Sequence, residues 1–327
     1  MKKFALCLAP FALFQGLNAE AADKPKQIVI VSFDGAADNA LWDKSMEMAK
    51  RNNAHFTYFL SCTFFMNPDE RAAYQAPHQR KGRSNVGFAQ TQAEVKARLS
   101  HVWQAHLDGH DIGSHVCGHF DGAEWSKSDW VKELTTFRNT MKNAYEANRL
   151  DTEKPDGWDE FTAKQMIGFR APYLSVSSGL VPALAETGFR YDASLVSRGP
   201  VMPEEDHTIT RFSLPLIPEG PRERRIIAMD YNMFVRHSGG IENTVKSKEF
   251  EERAYQAFRA AFDRQYSGDR IPLQLGFHFV EMNGGAYWRA LDRITSEVCS
   301  KPDVACISYA EALPFLNKDR RDKPSAS

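Results

Sequence analysis

The sequence predicts an α/β fold, a single (β/α) barrel of seven or eight strands, from two observations. Short apolar strand patterns alternate with amphipathic helix patterns about seven or eight times along the chain. This alternation is typical of parallel strands joined by crossover helices. Most of the strand patterns also end at an ionisable residue. The carboxyl ends of parallel strands meet at one rim, which is where barrel enzymes carry their chemistry.

The strand and helix patterns follow one another in order. We predict strands over residues 27–33, 54–60, 110–114, 166–170, 189–193, 225–231, 271–277 and 304–308. Helices are predicted over residues 41–51, 91–107, from Ser128 to about 145, 178–187, 250–266, 287–299 and 309–316. Ser128 is a suitable N-cap, and Gly109, Gly188 and Gly268 stand where helices end.

Three polar stretches are predicted to be loops: residues 67–90, 150–160 and 198–223. The first and third are rich in Gly, Pro or Arg, and we expect them to shape a groove at the rim. No internal repeat, low-complexity segment or linker divides the chain.

Composition excludes some classes of partner. Of the 327 residues, 43% are apolar and 25% are charged, as in an ordinary globular protein. The net charge of −1 gives no indication of a nucleic-acid partner or of an anionic membrane surface.

The amino terminus has the pattern of a secretory signal peptide. A basic start, Met1-Lys2-Lys3, precedes an apolar run over residues 4–17 that is too short to span a bilayer. Ala19-Glu20-Ala21 fits a small-x-small cleavage site. We therefore expect a periplasmic or secreted protein without stable membrane insertion after cleavage.

The domain division follows from that cleavage site. We expect a signal peptide over residues 1–21, one barrel domain over residues 22–317, and a charged, disordered tail over residues 318–327.

Export would leave four cysteines in an oxidising compartment. Cys299 and Cys306 flank a short turn and are predicted to pair. Cys62 and Cys117 could pair as well, which would pin the loop after the third strand to a neighbouring strand. Two buried thiols are the alternative, since spacing does not fix connectivity.

Two histidines four residues apart, His115 and His119, follow the third predicted strand. If residues 115–119 form one helical turn, both imidazoles project from one face. Two neutral imidazoles on one face can hold a divalent metal such as Zn²⁺. The alternative is a pair of ordinary polar residues in a loop.

Other ionisable residues close or follow their strands: Asp34, Arg170, Asp192, Asp230 and His278. A charge at the end of an apolar strand must be paired or used. We expect these side chains to converge with the two histidines at one mouth of the barrel.

Five segments carry most of these residues: Ser32-Phe33-Asp34-Gly35, Ser114-His115-Val116-Cys117-Gly118-His119, Arg170-Ala171-Pro172-Tyr173, Tyr191-Asp192-Ala193-Ser194 and Leu275-Gly276-Phe277-His278. Together they resemble the polysaccharide deacetylase (NodB-homology) family, carbohydrate esterase family 4. The resemblance covers roughly residues 26–316. Arg170 to Tyr173 is the most specific match.

The resemblance implies removal of acetyl groups from an acetylated polysaccharide. His115 and His119 would bind a divalent metal, expected to be zinc, which polarises the acetyl carbonyl and activates water. Asp34 would be the general base, held by a bidentate ion pair with Arg170.

The resemblance also implies that His278 is the general acid, oriented by Asp192. Tyr173 would offer its backbone N–H or its ring to the acetyl pocket. We also expect Asp230 and Tyr231 to contact the substrate.

The first segment departs from the family, which has a second aspartate where this chain has Gly35. Two imidazoles alone make a weak metal site. Asp38 is the nearest substitute ligand, although it could instead be a helix N-cap. Asp34 could also become the ligand, leaving the base role to Asp230 or a bound water.

Two hypotheses of function therefore stand. The first is an exported, metal-dependent deacetylase that acts on a polysaccharide, most readily on N-acetyl groups. The second is a catalytically silent glycan-binding protein on the same barrel, favoured by the loss of the second aspartate.

Overall fold

The computed structural model describes the backbone of residues 24–321 and the side chains of residues 24–316. The predicted signal peptide and residues 322–327 lie outside the described residues. The last helix runs from Tyr309 to Arg321. Residues 318–321, which were predicted to begin the disordered tail, are therefore helical.

Ten strands form one sheet in the described part of the chain. They are β1 Gln27–Gly35, β2 Thr57–Leu60, β3 Asp111–Ser114, β4 Gly168–Phe169, β5 Tyr191–Ser197, β6 Glu204–Asp206, β7 Ile209–Glu219, β8 Arg224–Ile227, β9 Leu273–His278 and β10 Val304–Cys306.

The α-helices lie mostly between the strands. They are α1 Asn39–Arg51, α2 Pro68–Ala73, α3 Gln92–Leu107, α4 Lys127–Lys142, α5 Ala144–Ala147, α6 Trp158–Lys164, α7 Leu180–Glu186, α8 Asp230–Ser238, α9 Ser247–Ser267, α10 Met282–Val298 and α11 Tyr309–Arg321. Short 3₁₀ turns cover residues 62–64, 151–153, 172–174 and 244–246.

Seven parallel strands curl into a distorted barrel. β1, β2, β3, β4, β5 and β7 are neighbours in that order, and β9 pairs with the other edge of β1. Ala228 spans the gap between β7 and β9. Its N–H donates to Pro215 O, and its O accepts from Gly276 N–H, both at 2.9 Å. The predicted barrel of seven or eight strands is confirmed.

Two apolar layers hold the barrel together. The larger layer fills the space between the sheet and the surrounding helices. The smaller lies inside the barrel, where Phe59, Tyr191 and Phe212 pack with Tyr309 and Leu316 of α11. α11 therefore closes one end of the barrel, and the carboxyl ends of the strands form the other.

The register of the strands brings their carboxyl ends together. Asp34 faces Phe59 on one side and His278 on the other. Ser114 faces Phe169, and Phe169 faces Asp192. The residues that follow β1, β3, β4 and β9 therefore share one rim.

The largest departure from prediction is the segment 198–223, which was predicted to be a loop. It contains β6 and the whole of β7, the longest strand of the described residues. Pro215 and Pro218 interrupt the apolar pattern of β7, and proline is a typical breaker of strands. The strand predicted over 225–231 is also wrong at its end, because α8 begins at Asp230.

Candidate active site

A buried ion pair lies at the end of β1. Arg170 Nη1 donates to Asp34 Oδ1 at 2.9 Å, and both side chains are almost fully buried. The remaining donors of the guanidinium go elsewhere, to Ser32 Oγ, Ala193 O and Tyr309 Oη. The predicted pair is confirmed. Its predicted bidentate geometry is wrong, because the other N–H groups have these partners.

The surroundings of Asp34 keep its carboxylate charged. Burial alone would raise the pKa of Asp34. The positive charge of Arg170, with weaker contributions from His115 and His278 and the hydrogen bond from Arg170, outweighs burial and lowers it. In the described part of the chain, Oδ2 of Asp34 has no hydrogen bond, so one charged oxygen is available at the rim.

His278 is paired with Asp230. Its Nδ1 lies 2.7 Å from Asp230 Oδ1, and its backbone N–H donates to Asp230 Oδ2 at 2.9 Å. Burial would lower the pKa of His278. The negative charge of Asp230 and its hydrogen bond outweigh that effect and raise the pKa. Because Nδ1 donates to the carboxylate, Nε2 is the ring nitrogen left for chemistry.

The prediction that Asp192 orients His278 is wrong. Asp192 is fully buried on β5 and accepts from Arg211 Nε and Nη2, both at 3.2 Å, and from Ser194 N–H. Asp230 occupies the predicted role because the chain at Ala228 and Met229 lies directly beside β9. The predicted contact of Asp230 with substrate is also wrong, since its buried carboxylate is bonded to His278 and Tyr231 N–H.

The two histidines after β3 lie in a loop and not in the predicted helical turn. Val116 and His119 have left-handed φ values of 50° and 56°. This conformation is unfavourable for a β-branched residue such as Val116, at a cost of about 1–3 kcal/mol. The rings still meet, with centroids of His115 and His119 4.9 Å apart.

Both imidazoles are set up as neutral bases. His115 Nδ1 donates to Arg170 O at 2.8 Å, because a carbonyl only accepts, so Nε2 carries the lone pair. Burial is the largest cause that lowers the pKa of His115. Burial is also the largest cause that lowers the pKa of His119, to about 3.

Several contacts hold this loop against its neighbours. Cys62 and Cys117 form a disulfide, as the first of the two alternatives had it. Asn85 N–H donates to Gly118 O at 2.8 Å, and Asn85 Nδ2 donates to His119 O at 3.0 Å. The second predicted disulfide, Cys299–Cys306, is also present.

The metal donor set is incomplete. Asp38 Oδ1 accepts from the N–H groups of Ala40 and Leu41, so Asp38 is the N-cap of α1 and not the predicted third ligand. Within residues 24–316, no group of three His, Cys, Asp or Glu side chains is arranged to hold a metal ion. His115 and His119 supply two suitable donors, and the predicted zinc site lacks its third.

The backbone conformation of Gly35 gives a reason why the third metal ligand is missing at this position. Its φ is +91°, a region that residues with a side chain rarely adopt. The space around it is open, with no atom within 4 Å of a Cβ placed there. The backbone, and not crowding, therefore disfavours a carboxylate side chain at this position.

Two exposed tyrosines flank the site. Tyr173, 60% exposed, has its ring centroid 4.7 Å from that of His119. Tyr231, 51% exposed on the first turn of α8, has its ring centroid 5.9 Å from that of His278. An exposed aromatic ring can stack on the apolar face of a sugar.

Sequence reasoning missed two residues that support the site, Asn85 and Tyr309, and also missed Arg211, the partner of Asp192. Arg211 lies on a strand that was predicted to be a loop. Tyr309 was placed at the start of the last helix, with no signal that its hydroxyl would reach the Arg170 guanidinium inside the barrel. Asn85 lies in the predicted loop 67–90, which carries no motif.

Comparison with known proteins identifies the fold. No family model matches the chain, and no curated protein matches it by sequence. Among solved structures, a polysaccharide deacetylase structure from Mycobacterium smegmatis is similar, with a TM-score of 0.56 and 17% identity over 91% of this chain and 93% of that one. One from Pseudomonas aeruginosa PAO1 has a TM-score of 0.52 and 14% identity over the same shares. The chain therefore has the NodB-like barrel fold of these structures.

Proposed function

We propose that the chain is an exported hydrolase that removes acetyl groups, most readily N-acetyl groups, from a polysaccharide. One observation carries the proposal. Asp34 and His278 occupy facing positions on β1 and β9, and their partners move their pKa values in opposite directions. A charged base beside a protonated acid is what hydrolysis of an amide needs.

In this mechanism a water molecule attacks the acetyl carbonyl carbon. Asp34 takes a proton from that water through its carboxylate, and Arg170 holds the carboxylate in place. His278 gives its Nε2 proton to the leaving nitrogen as the carbon–nitrogen bond breaks. The products are acetate and a free amine on the sugar. Asp230 holds the His278 ring and stabilises its protonated form.

We assign the exposed rings of Tyr173 and Tyr231 to substrate contact. Tyr173 lies beside His119 and Tyr231 lies beside His278, so a sugar ring that stacks on either tyrosine would lie next to the site. A polysaccharide is favoured as the substrate because the two similar structures are named as polysaccharide deacetylases.

A divalent metal, predicted to be zinc, would have two protein donors among the described residues. His115 Nε2 and His119 would be its donors, and a bound metal would supply Lewis-acid polarisation of the carbonyl. The third protein ligand of such a metal is missing among the described residues. The roles given to Asp34 and His278 do not require the metal.

The silent glycan-binding protein is the second candidate, and the incomplete donor set favours it. In that case the tyrosines would bind a glycan and the acid–base pair would be idle.

Export is supported by the predicted signal peptide and by the two disulfides, which persist in oxidising compartments. No helix of the described residues is both long and apolar enough to cross a membrane.

The distinguishing experiment measures acetate release and glycan binding in parallel. Purified mature protein would be incubated with chitin oligomers, peptidoglycan and acetyl-xylan, with and without added Zn²⁺. Acetate release from any of them supports the hydrolase. Binding without acetate release under either condition supports the silent protein.

A further inference from the structure

A buried carboxylate lies beneath the loop that carries the two histidines. Glu133 of α4 is fully buried, and its Oε1 accepts from Tyr74 Oη at 2.5 Å and from Gly118 N–H at 3.4 Å. Gly118 immediately precedes His119. The described residues therefore place a carboxylate directly against the peptide between the two imidazoles.

A side chain at position 118 would clash with its neighbours. A Cβ at this position would lie 2.6 Å from Tyr74 Oη and 2.6 Å from Phe120 Cε2. Only glycine lets the loop pack directly on the Tyr74–Glu133 pair. The position of this peptide is thus defined by two side chains that take no part in the proposed chemistry.

Burying the carboxylate of Glu133 in this space is energetically unfavourable. Its Oε2 is buried without a hydrogen-bond partner among the described residues. An apolar side chain of similar volume would avoid the desolvation of that oxygen. A carboxylate here is therefore better explained by what its other oxygen holds than by its contribution to stability.

The loop needs an anchor on this side. Val116 and His119 have left-handed backbones, so the loop is strained and would relax without restraint. The Cys62–Cys117 disulfide holds it from the 3₁₀ turn that follows β2, and Asn85 holds it from the rim. Glu133 is the contact from α4.

We propose that Glu133 is a positioning residue that holds the Cys117-Gly118 peptide and so fixes His119 against His115 and Tyr173. It acts through the loop and does not touch substrate. Its effect on catalysis rests on the proposed function, whereas its effect on the loop does not.

The test compares Glu133→Met with Glu133→Gln. Methionine keeps the volume and removes the acceptor, and glutamine keeps an acceptor for Tyr74 and Gly118. In Glu133→Met we expect amide hydrogen exchange in residues 116–119 to become at least 10-fold faster. We also expect kcat for acetate release to fall about 10-fold with KM within about 2-fold. In Glu133→Gln, amide exchange in residues 116–119 and kcat should both stay close to the wild-type values.

Two further variants separate positioning from stability. Phe137→Leu, one turn further along the same helix, reduces buried packing and keeps the Glu133 carboxylate, so it should lower the thermal midpoint without changing exchange at 116–119. If Glu133→Met does not fold, Tyr74→Phe takes its place, because it removes one partner of the carboxylate and should also speed exchange at Gly118.

Unchanged loop exchange in Glu133→Met, or in Tyr74→Phe where that replaces it, overturns the proposal. Faster exchange with wild-type kcat overturns the catalytic part of it. A wild-type protein that releases no acetate refutes the proposed function instead, and leaves the exchange measurement to decide the role of Glu133.

Discussion

Asp34 and His278 face each other across neighbouring parallel strands, with Asp34 at the end of β1 and His278 at the end of β9. Arg170 and Asp230 are their separate partners. The charges of Asp34 and His278 also favour each other's ionised form.

Asp230→Asn should shift the pH profile of the reaction. His278 must be protonated to act as the acid, and the negative charge of Asp230 raises its pKa. Loss of that charge lowers the pKa, so the alkaline limb of kcat/KM should move to lower pH. We expect kcat at pH 7 to fall roughly 10- to 100-fold. A pH–rate profile on an acetylated oligosaccharide checks this.

Asp192→Asn is the matched control for Asp230→Asn. Asp192 is equally buried but is bonded to Arg211, so its loss should leave the alkaline limb in place. A shift of that limb in Asp192→Asn and not in Asp230→Asn would return the orienting role to Asp192.

The His278–Asp230 pair also contributes to the free energy of unfolding, and the direction of its pH dependence follows from the pKa of His278. The pKa of His278 is higher in the folded than in the unfolded chain. Its contribution is therefore complete below the unfolded pKa, near 6.5, and is lost as the pH rises through the folded pKa. Urea unfolding across pH should show that the stability difference between wild type and His278→Gln shrinks towards high pH.

Arg170→Met should destabilise the protein by about 3–5 kcal/mol, because it leaves the buried carboxylate of Asp34 without its cation. The pKa of Asp34 is lowered in the folded wild type, so the pair stabilises above the unfolded pKa and loses its effect as the pH falls through the folded pKa. The destabilisation, measured by urea unfolding, should therefore diminish in acid. A constant difference across pH would contradict the ion-pair explanation.

Asp38→Ala should affect folding and not metal binding. Its carboxylate caps α1, and losing an N-cap costs about 1 kcal/mol of the free energy of unfolding. Zinc titration by calorimetry should give the same affinity in wild type and variant, while the urea midpoint falls. A clear loss of zinc affinity would restore Asp38 as a ligand.

Removing the Cys62–Cys117 disulfide should impair both stability and activity. Replacement of both cysteines by alanine should lower the free energy of unfolding by roughly 2–5 kcal/mol. The kcat should also fall, because the disulfide holds the loop between His115 and His119. Removing Cys299–Cys306 in the same way is the control, and should lower stability while leaving kcat unchanged. Equal effects on kcat would show that the first disulfide has no special relation to the site.

The sequence was sufficient to predict which residues at the ends of strands would meet at the site. Asp34 and Arg170 terminate β1 and β4, and parallel strands bring such residues to one rim whatever their exact order. Their convergence at one rim could therefore be predicted, and the ion pair between them was implied by the family resemblance. The carboxylate that orients His278 could not be predicted, because the choice between Asp192 and Asp230 depends on how the barrel closes.

The closure of the barrel could not be predicted because of the prolines in the closing strand. Pro215 and Pro218 make the β7 segment look like a loop, yet Pro215 O accepts the bond from Ala228 that brings Asp230 beside β9. The role of Asp38 was similarly open, because an N-cap and a metal ligand require the same side chain. A contact between residues distant in sequence decided the first case, and the hydrogen bonds from Ala40 and Leu41 to Asp38 decided the second.

The most direct test of the central claim is acetate release by wild type, Asp34→Asn, His278→Gln and the double variant, each confirmed to be folded. If the two residues form one acid–base couple, each single variant should lose about 10²–10⁴ in kcat, and the double variant should fall little further. Acetate release at the wild-type rate by either single variant would contradict the claim.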